Sequence, residues 1–201
     1  MEWSQIITQL FRMAYPYLSV RGDVPHAKVS HTYAKNLIAH EGGNKKIIEP
    51  AIILHDVGWS CLEPQQIVAA FGVRVRGKEA ARLNRIHELE GAAIARQILE
   101  SVRFDPDLIA KIAVIIQRHD SGTKADSLEE KIVKDADKLW RLSKTGFWNE
   151  KERQGLDPKE FYIYLTEHYK SWFYTQTALR RAEAELKERL KEINLKWILR
   201  S

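Results

Sequence analysis

The sequence predicts an all-α fold. Apolar residues recur at three- and four-residue spacing through most of the chain, and almost no stretch alternates apolar and polar residues as a half-buried strand does. Helix-starting and helix-stopping residues punctuate the periodic segments. With 201 residues, 44% of them apolar and 29% charged, the chain is able to form one core and has the composition of a folded soluble domain rather than a disordered one.

Taken in order, the first helix covers roughly Trp3 to Tyr15 and is expected to stop at Pro16. A second begins near Pro25 with Asp23 as its cap, places Val29, Tyr33, Leu37 and Ile38 on one side, and ends at "EGGN". A third, about Lys46 to His55, carries the apolar run of "PAIILHDVGW". "EPQQIVAAFG" reads as a short helix, followed by the basic stretch "RVRGKEAARLNR" and an amphipathic helix through "IHELEGAAIARQILESV". Pro106 opens "DLIAKIAVIIQRHD", which again ends an apolar run in His-Asp. After the loop "SGTKADS", Ser127 and Glu130 form a capping-box pattern for "LEEKIVKDADKLWRL". "FWNEKERQGLDPKE" is expected to be a polar connector, and the remainder one or two long helices whose Glu/Lys/Arg alternation marks a solvated face.

Why a greasy run should close on His55 and Asp56 is the central question. A buried carboxylate without a partner costs several kcal/mol, so either water or a partner is expected there. His26, His55, Asp56, His87, His119 and Asp137 all lie near the start, the end or the apolar margin of a predicted helix, where packed helices are able to bring them together. Imidazole nitrogen mixed with carboxylate oxygen suits a divalent transition metal (Mn, Fe, Co, Ni or Zn), one ion or two, whereas an all-oxygen site suits Mg or Ca. A lone histidine is more often a packed or surface residue than a ligand, and His40 and His168 are read that way. His31, five positions after His26, faces another part of the helix and is a second choice.

The segments "DVPHAKVSHTYAKNLIAHEGGN", "AIILHDVGW", "HELEGAAIARQIL", "IIQRHD" and "EEKIVKDADKL" together closely resemble the HD-domain metal-dependent phosphohydrolase superfamily. The resemblance covers about Arg21 to Gly146. It implies a single-domain HD-type helical bundle, with residues 1–20 as an N-terminal helix packing on the core, 21–146 as the HD domain and 147–201 as a C-terminal helical extension. It implies His26, His55, Asp56 and Asp137 as metal ligands, with Asp56 and His55 at the centre of catalysis. Asp23 stands before His26 in the family's "D-x-x-H" manner. Asp135 resembles the extra acid of the branch carrying "DADRLDALGAIG", in which Leu139, Leu142 and Gly146 also match, but Trp140 stands where that string has its third aspartate. Two-metal members, such as the HD-type diadenosine tetraphosphate hydrolases and cyclic-di-GMP phosphodiesterases, imply His87 and His119 as further ligands with Asp56 as a bridge. The alternative is that these two histidines hydrogen-bond a phosphate or a water.

The activity implied is hydrolysis of a phosphate ester or anhydride in a small nucleotide-like substrate by metal-activated water, since a bound ion lowers the pKa of its water from 15.7 toward about 7. Arg82, Arg85 and Lys138 are the candidates for holding phosphate, while Arg74, Arg76 and Lys78 read equally as a solvated face. Trp59 occupies the position where some superfamily nucleotidases have a glutamate, so their proton-transfer scheme is not carried over; its indole either stacks on a base or packs. The competing reading is a regulatory module that binds metal and nucleotide without turnover, with the C-terminal region as a docking or homodimer surface. Nucleic acid is disfavoured: a net charge of +5 is its main support, and no zinc-finger spacing or Gly-rich phosphate loop accompanies it. One cysteine, no secretory-type N-terminus and no bilayer-length apolar run point to a cytoplasmic protein without a membrane partner.

Overall fold

A computed structural model describes residues 2–70, 72 and 77–198 of the chain. Among them are α1 (Trp3–Ser19), α2 (Val24–Glu41), α3 (Lys45–Leu54), α4 (Pro64–Ala70), α5 (Lys78–Ser101), α6 (Pro106–Ile116), α7 (Leu128–Trp140), α8 (Lys144–Arg153), α9 (Pro158–His168) and α10 (Gln176–Ile198), with 3-10 turns at Val57–Cys61 and Tyr169–Ser171. No strand occurs among the described residues, so the all-α expectation holds. Phe71, Arg74 and Arg76 lie outside the described residues.

The organising element is α3. Every residue from Ile47 to Leu54 is buried, because α1, α2, α5, α6 and α7 all pack around it. A helix that is apolar on all sides has to be enclosed in this way. Its one acid, Glu49, accepts hydrogen bonds from Trp3 Nε1 at 2.9 Å and pairs with His31 Nε2 at 2.7 Å. His55 caps the C-terminus of α3, so the element that fills the core also delivers the His-Asp pair into it.

Two elements differ from the sequence expectation. The first helix continues through Pro16 to Ser19. Leu10, Ala14 and Leu18 form a buried stripe at four-residue spacing, and burying a leucine contributes about 1.5–3 kcal/mol, comparable to the ~3 kcal/mol cost of an interior proline. The expected polar connector after Gly146 is instead largely helical. Ser143 caps α8 by accepting from Gly146 N at 2.9 Å, while Phe147 and Glu150 are buried, so two inward anchors hold a segment that reads as polar. The hydrophobic core is continuous from Leu10 to Ile193 and includes Phe161 of α9 and Ala182 and Leu186 of α10.

One backbone contact sets the position of α5. A Cβ on Gly58 would lie 2.0 Å from the carbonyl oxygen of His87 and 2.4 Å from the amide nitrogen of Gly91. Bare backbone at residue 58 therefore lets the turn after Asp56 touch α5 directly, which is what brings His87 alongside Asp56.

Candidate metal centre

The six residues singled out in the sequence meet at one place. His26 comes from the first turn of α2, His55 and Asp56 from the end of α3, His87 from α5, His119 from the turn after α6, and Asp137 from the last turn of α7. All six are buried. Asp56 divides them into two groups. Its Oδ2 faces His55 Nε2 at 3.4 Å and His26 Nε2 at 3.8 Å, and Asp137 Oδ1 completes that group at 3.1 Å from His26 and 3.5 Å from His55. Its Oδ1 faces His119 Nε2 at 3.6 Å and His87 Nε2 at 3.8 Å. Asp120 completes the second group, with Oδ2 3.7 Å from His119 and 3.8 Å from His87.

The donor set fits divalent transition metals. His55 Nδ1 donates to the carbonyl of Ile52 and His119 Nδ1 to that of Ile116, both at 2.8 Å, which fixes the tautomer that aims a bare Nε2 lone pair inward. Nε2 of His26 lies 3.1 Å from Nε2 of His55, and Nε2 of His87 lies 3.3 Å from Nε2 of His119. Lone pairs that converge this closely repel unless a cation or a proton lies between them. Each group offers two imidazole nitrogens and one carboxylate of its own, and Asp56 is able to supply one oxygen to each. That mixture suits Mn, Fe, Co, Ni or Zn better than Mg or Ca.

The electrostatics concentrate ionised carboxylates at this point. Burial opposes ionisation of Asp56, but His55 and Arg21 hold its pKa well below the usual range. Burial likewise opposes the charge of Asp137, which Lys138, His26 and His55 more than offset; partial desolvation opposes that of the partly exposed Asp120, which Lys138 and His119 more than offset. Burial pushes His55 down, yet Asp56 and Asp137 raise it on balance to about 9. His119 is raised in the same manner, against burial, by Asp120 and Asp56. His87 goes the other way, to about 3, because of burial and the neighbouring His119, so its ring is neutral. Lys138, raised against burial by Asp120 and Asp137, stays charged.

A surrounding set of residues holds the donors in place. Each oxygen of Asp56 receives one hydrogen bond from outside: Arg21 Nη2 donates to Oδ2 at 2.7 Å and Trp59 Nε1 donates to Oδ1 at 3.0 Å. Arg21 is itself tied to Asp23, which also accepts from Arg153 Nη1 of α8 at 3.2 Å. Asp23 thus occupies the N-cap position of α2 without capping by its side chain, contrary to expectation, because two guanidinium groups offer it charge-assisted bonds.

The turn bearing His119 and Asp120 is pinned from both sides. The fully buried carboxylate of Glu88 accepts from Asp120 N at 3.0 Å, Ser121 N at 2.8 Å and Ser121 Oγ at 2.6 Å. The buried ammonium of Lys134 donates to the carbonyls of Arg118 at 2.5 Å, His119 at 3.1 Å and Gly122 at 2.9 Å.

A cleft of about 400 Å³ opens beside the donors, and His26, Asp56, Asp120 and Asp137 form part of its wall. Of the expected phosphate-holding residues, Lys138 bridges Asp120 and Asp137 at 2.9 Å each. Arg82 pairs with Glu79 on an exposed face, and Arg85 bonds Glu88 and the carbonyl of Gln117; neither lines the cleft. Trp59 offers no stacking platform. His87 lies against its ring with centroids 4.0 Å apart and 13° between planes, the Arg21 guanidinium sits 4.3 Å from the centroid, and two such groups cannot share one face. His40 and His168 turn to carbonyls four residues back in their own helices. Asp135 faces away from the centre and accepts from Tyr174 N, Thr175 N and Thr175 Oγ, joining α7 to the start of α10.

Asp120, Glu88, Lys134 and Arg21 were not anticipated in these roles. Asp120 alone had a signal, because "RHD" repeats the His-Asp ending of α3.

A family model described as HD domain matches residues 26–142, from His26 to just past Asp137. No curated protein matches the chain. Among solved structures, the fold is similar to a crystal structure described as a predicted HD superfamily hydrolase from an uncultured Thermotogales bacterium, at 18% identity, over 99% of this chain and 93% of that one, with a TM-score of 0.63.

Proposed function

The chain belongs to the HD domain family, and on that footing we propose that it is a metal-dependent phosphohydrolase acting on a phosphate ester or anhydride in a small substrate such as a nucleotide. The observation that carries the reading is the division of Asp56, whose two oxygens face two separate His/His/Asp groups at 3.4–3.8 Å. Divalent ions held there would lower the pKa of water and offset charge on a phosphoryl group.

Under this reading His26, His55, Asp56 and Asp137 would hold one ion, and Asp56, His87, His119 and Asp120 would hold a second. Arg21 and Trp59 orient the shared carboxylate, and Lys138 keeps Asp120 and Asp137 ionised and fixed. Water supplies the oxygen of the new P–O bond as the bond to the leaving oxygen breaks, and the leaving oxygen takes up a proton. No side chain is required as nucleophile. A nucleotide would enter the cleft without its base stacked on Trp59, whose faces are covered.

Purified protein loaded with Mn or Co, incubated with a panel of nucleotides and simple phosphate esters, is expected to release phosphate or a nucleoside monophosphate from at least one. No turnover across the panel, with metal bound, overturns the reading.

A further inference from the structure

The cleft beside the metal centre contains an unspent positive charge. Two arginines line it, Arg21 and Arg141. Arg21 is committed to Asp23 and Asp56. Arg141 is not committed. It is the C-cap residue of α7, one helical turn beyond Asp137, which puts both side chains on the cleft side of that helix end. Its Nε is buried with no hydrogen-bond partner, and among the described residues no carboxylate lies within ion-pairing distance. Burial opposes its charge, and Asp137, Glu150 and Asp120 favour it only from farther away. The other basic groups near the centre are bound elsewhere: Lys138 to two carboxylates, Arg85 to Glu88, and Lys134 to three carbonyls.

A guanidinium with an unpartnered buried N–H is costly unless an acceptor arrives. Its planar fork matches two oxygens of a phosphoryl group through parallel hydrogen bonds. We propose that Arg141 is a substrate-binding residue that grips the free oxygens of a terminal phosphoryl group held beside Asp137. The inference deepens the phosphohydrolase reading and rests on it. It also narrows the substrate class. A terminal phosphoryl group, in a monoester or at the end of an anhydride, presents oxygens that are not esterified on the side away from the donors. A diester has one of those positions blocked by its second alcohol.

The test is isothermal titration of Mn-loaded protein with inorganic phosphate, paired with kinetics on a monoester and a diester of one alcohol. R141Q is expected to weaken phosphate binding about 10- to 100-fold, the usual range for losing hydrogen bonds to a charged group. R141K, with charge but no fork, should recover part of that loss. Metal content should remain that of the wild type in both variants. Monoester kcat/KM should fall by a comparable factor in R141Q, and diester turnover should change less. Phosphate affinity unchanged in R141Q overturns the inference, as does undetectable phosphate binding by the metal-loaded wild type. A protein that binds phosphate through Arg141 yet hydrolyses nothing removes the hydrolase reading, and with it the substrate role, while Arg141 remains a phosphate-binding residue.

Discussion

The two donor groups that share Asp56 are built by different means. His26, His55 and Asp137 are carried by the ends of three helices packed directly together, α2, α3 and α7, and their donor atoms lie 3.1–3.5 Å apart. His87, His119 and Asp120 come from one helix and one turn, with donor atoms 3.3–3.8 Å apart and the Asp120 side chain 30% exposed. Apolar packing places the first group. Polar bonds from Glu88 and Lys134 place His119 and Asp120 of the second. Close-packed helices resist displacement, whereas a turn keeps its shape only while its hydrogen bonds persist. The first group should therefore hold its ion more tightly, and the second should be easier to empty.

Removing the shared residue should abolish the distinction altogether. Asp56→Ala is expected to empty both groups and to reduce activity by more than the roughly 100-fold that loss of a supporting residue costs; elemental analysis of the purified variant beside an activity assay checks it. Replacing each group's own carboxylate should expose the contrast. Asp137→Asn should leave less than one ion per chain, while Asp120→Asn should retain the tightly held ion and lose the weaker one. Equal metal content in the two variants would refute the ranking.

The scaffolding can be attacked separately. Glu88→Ala leaves two amides of the 120–121 turn without their acceptor and should cost about 3–5 kcal/mol, the range for breaking a buried charged network. Urea unfolding measures this, and a second metal equivalent binding as tightly as in the wild type would show that the turn does not depend on Glu88. Trp59→Phe preserves an aromatic ring against His87 but removes the N–H bonded to Asp56 Oδ1. A 10- to 100-fold drop in affinity for the second ion is expected, with the first affected less, read by metal titration. Arg82→Ala should leave the urea midpoint and activity unchanged, because its ion pair with Glu79 is exposed and outside the cleft.

The same contrast explains what was legible in the sequence. The first group was readable because an apolar run has to be enclosed, and a His-Asp pair at its end is carried inside with it, as α3 shows. The convergence of His87 and His119 was readable from the ordered family pattern. Asp120 is ambiguous in the sequence: "RHD" repeats the ending of α3, but an aspartate followed by Ser-Gly also reads as the start of a loop. Arg141 carried no signal, since its partnerless state arises only from how α7 ends at the cleft. Pro16 and the 147–160 segment were misread for one reason. Local propensity marked breaks where Leu18 and Phe147 reach the core, and packing prevailed.

The bonded series Arg153, Asp23, Arg21 and Asp56 begins in α8, beyond the stretch that the family model matches. Alternating charges along it act as a tether from α8 to the carboxylate shared by the two donor groups. Trimming the protein back to residues 26–142 would therefore remove Arg153, Asp23 and Arg21 together and leave only Asp56 of the series. The minimal unit of chemistry here is longer than the minimal unit of recognition.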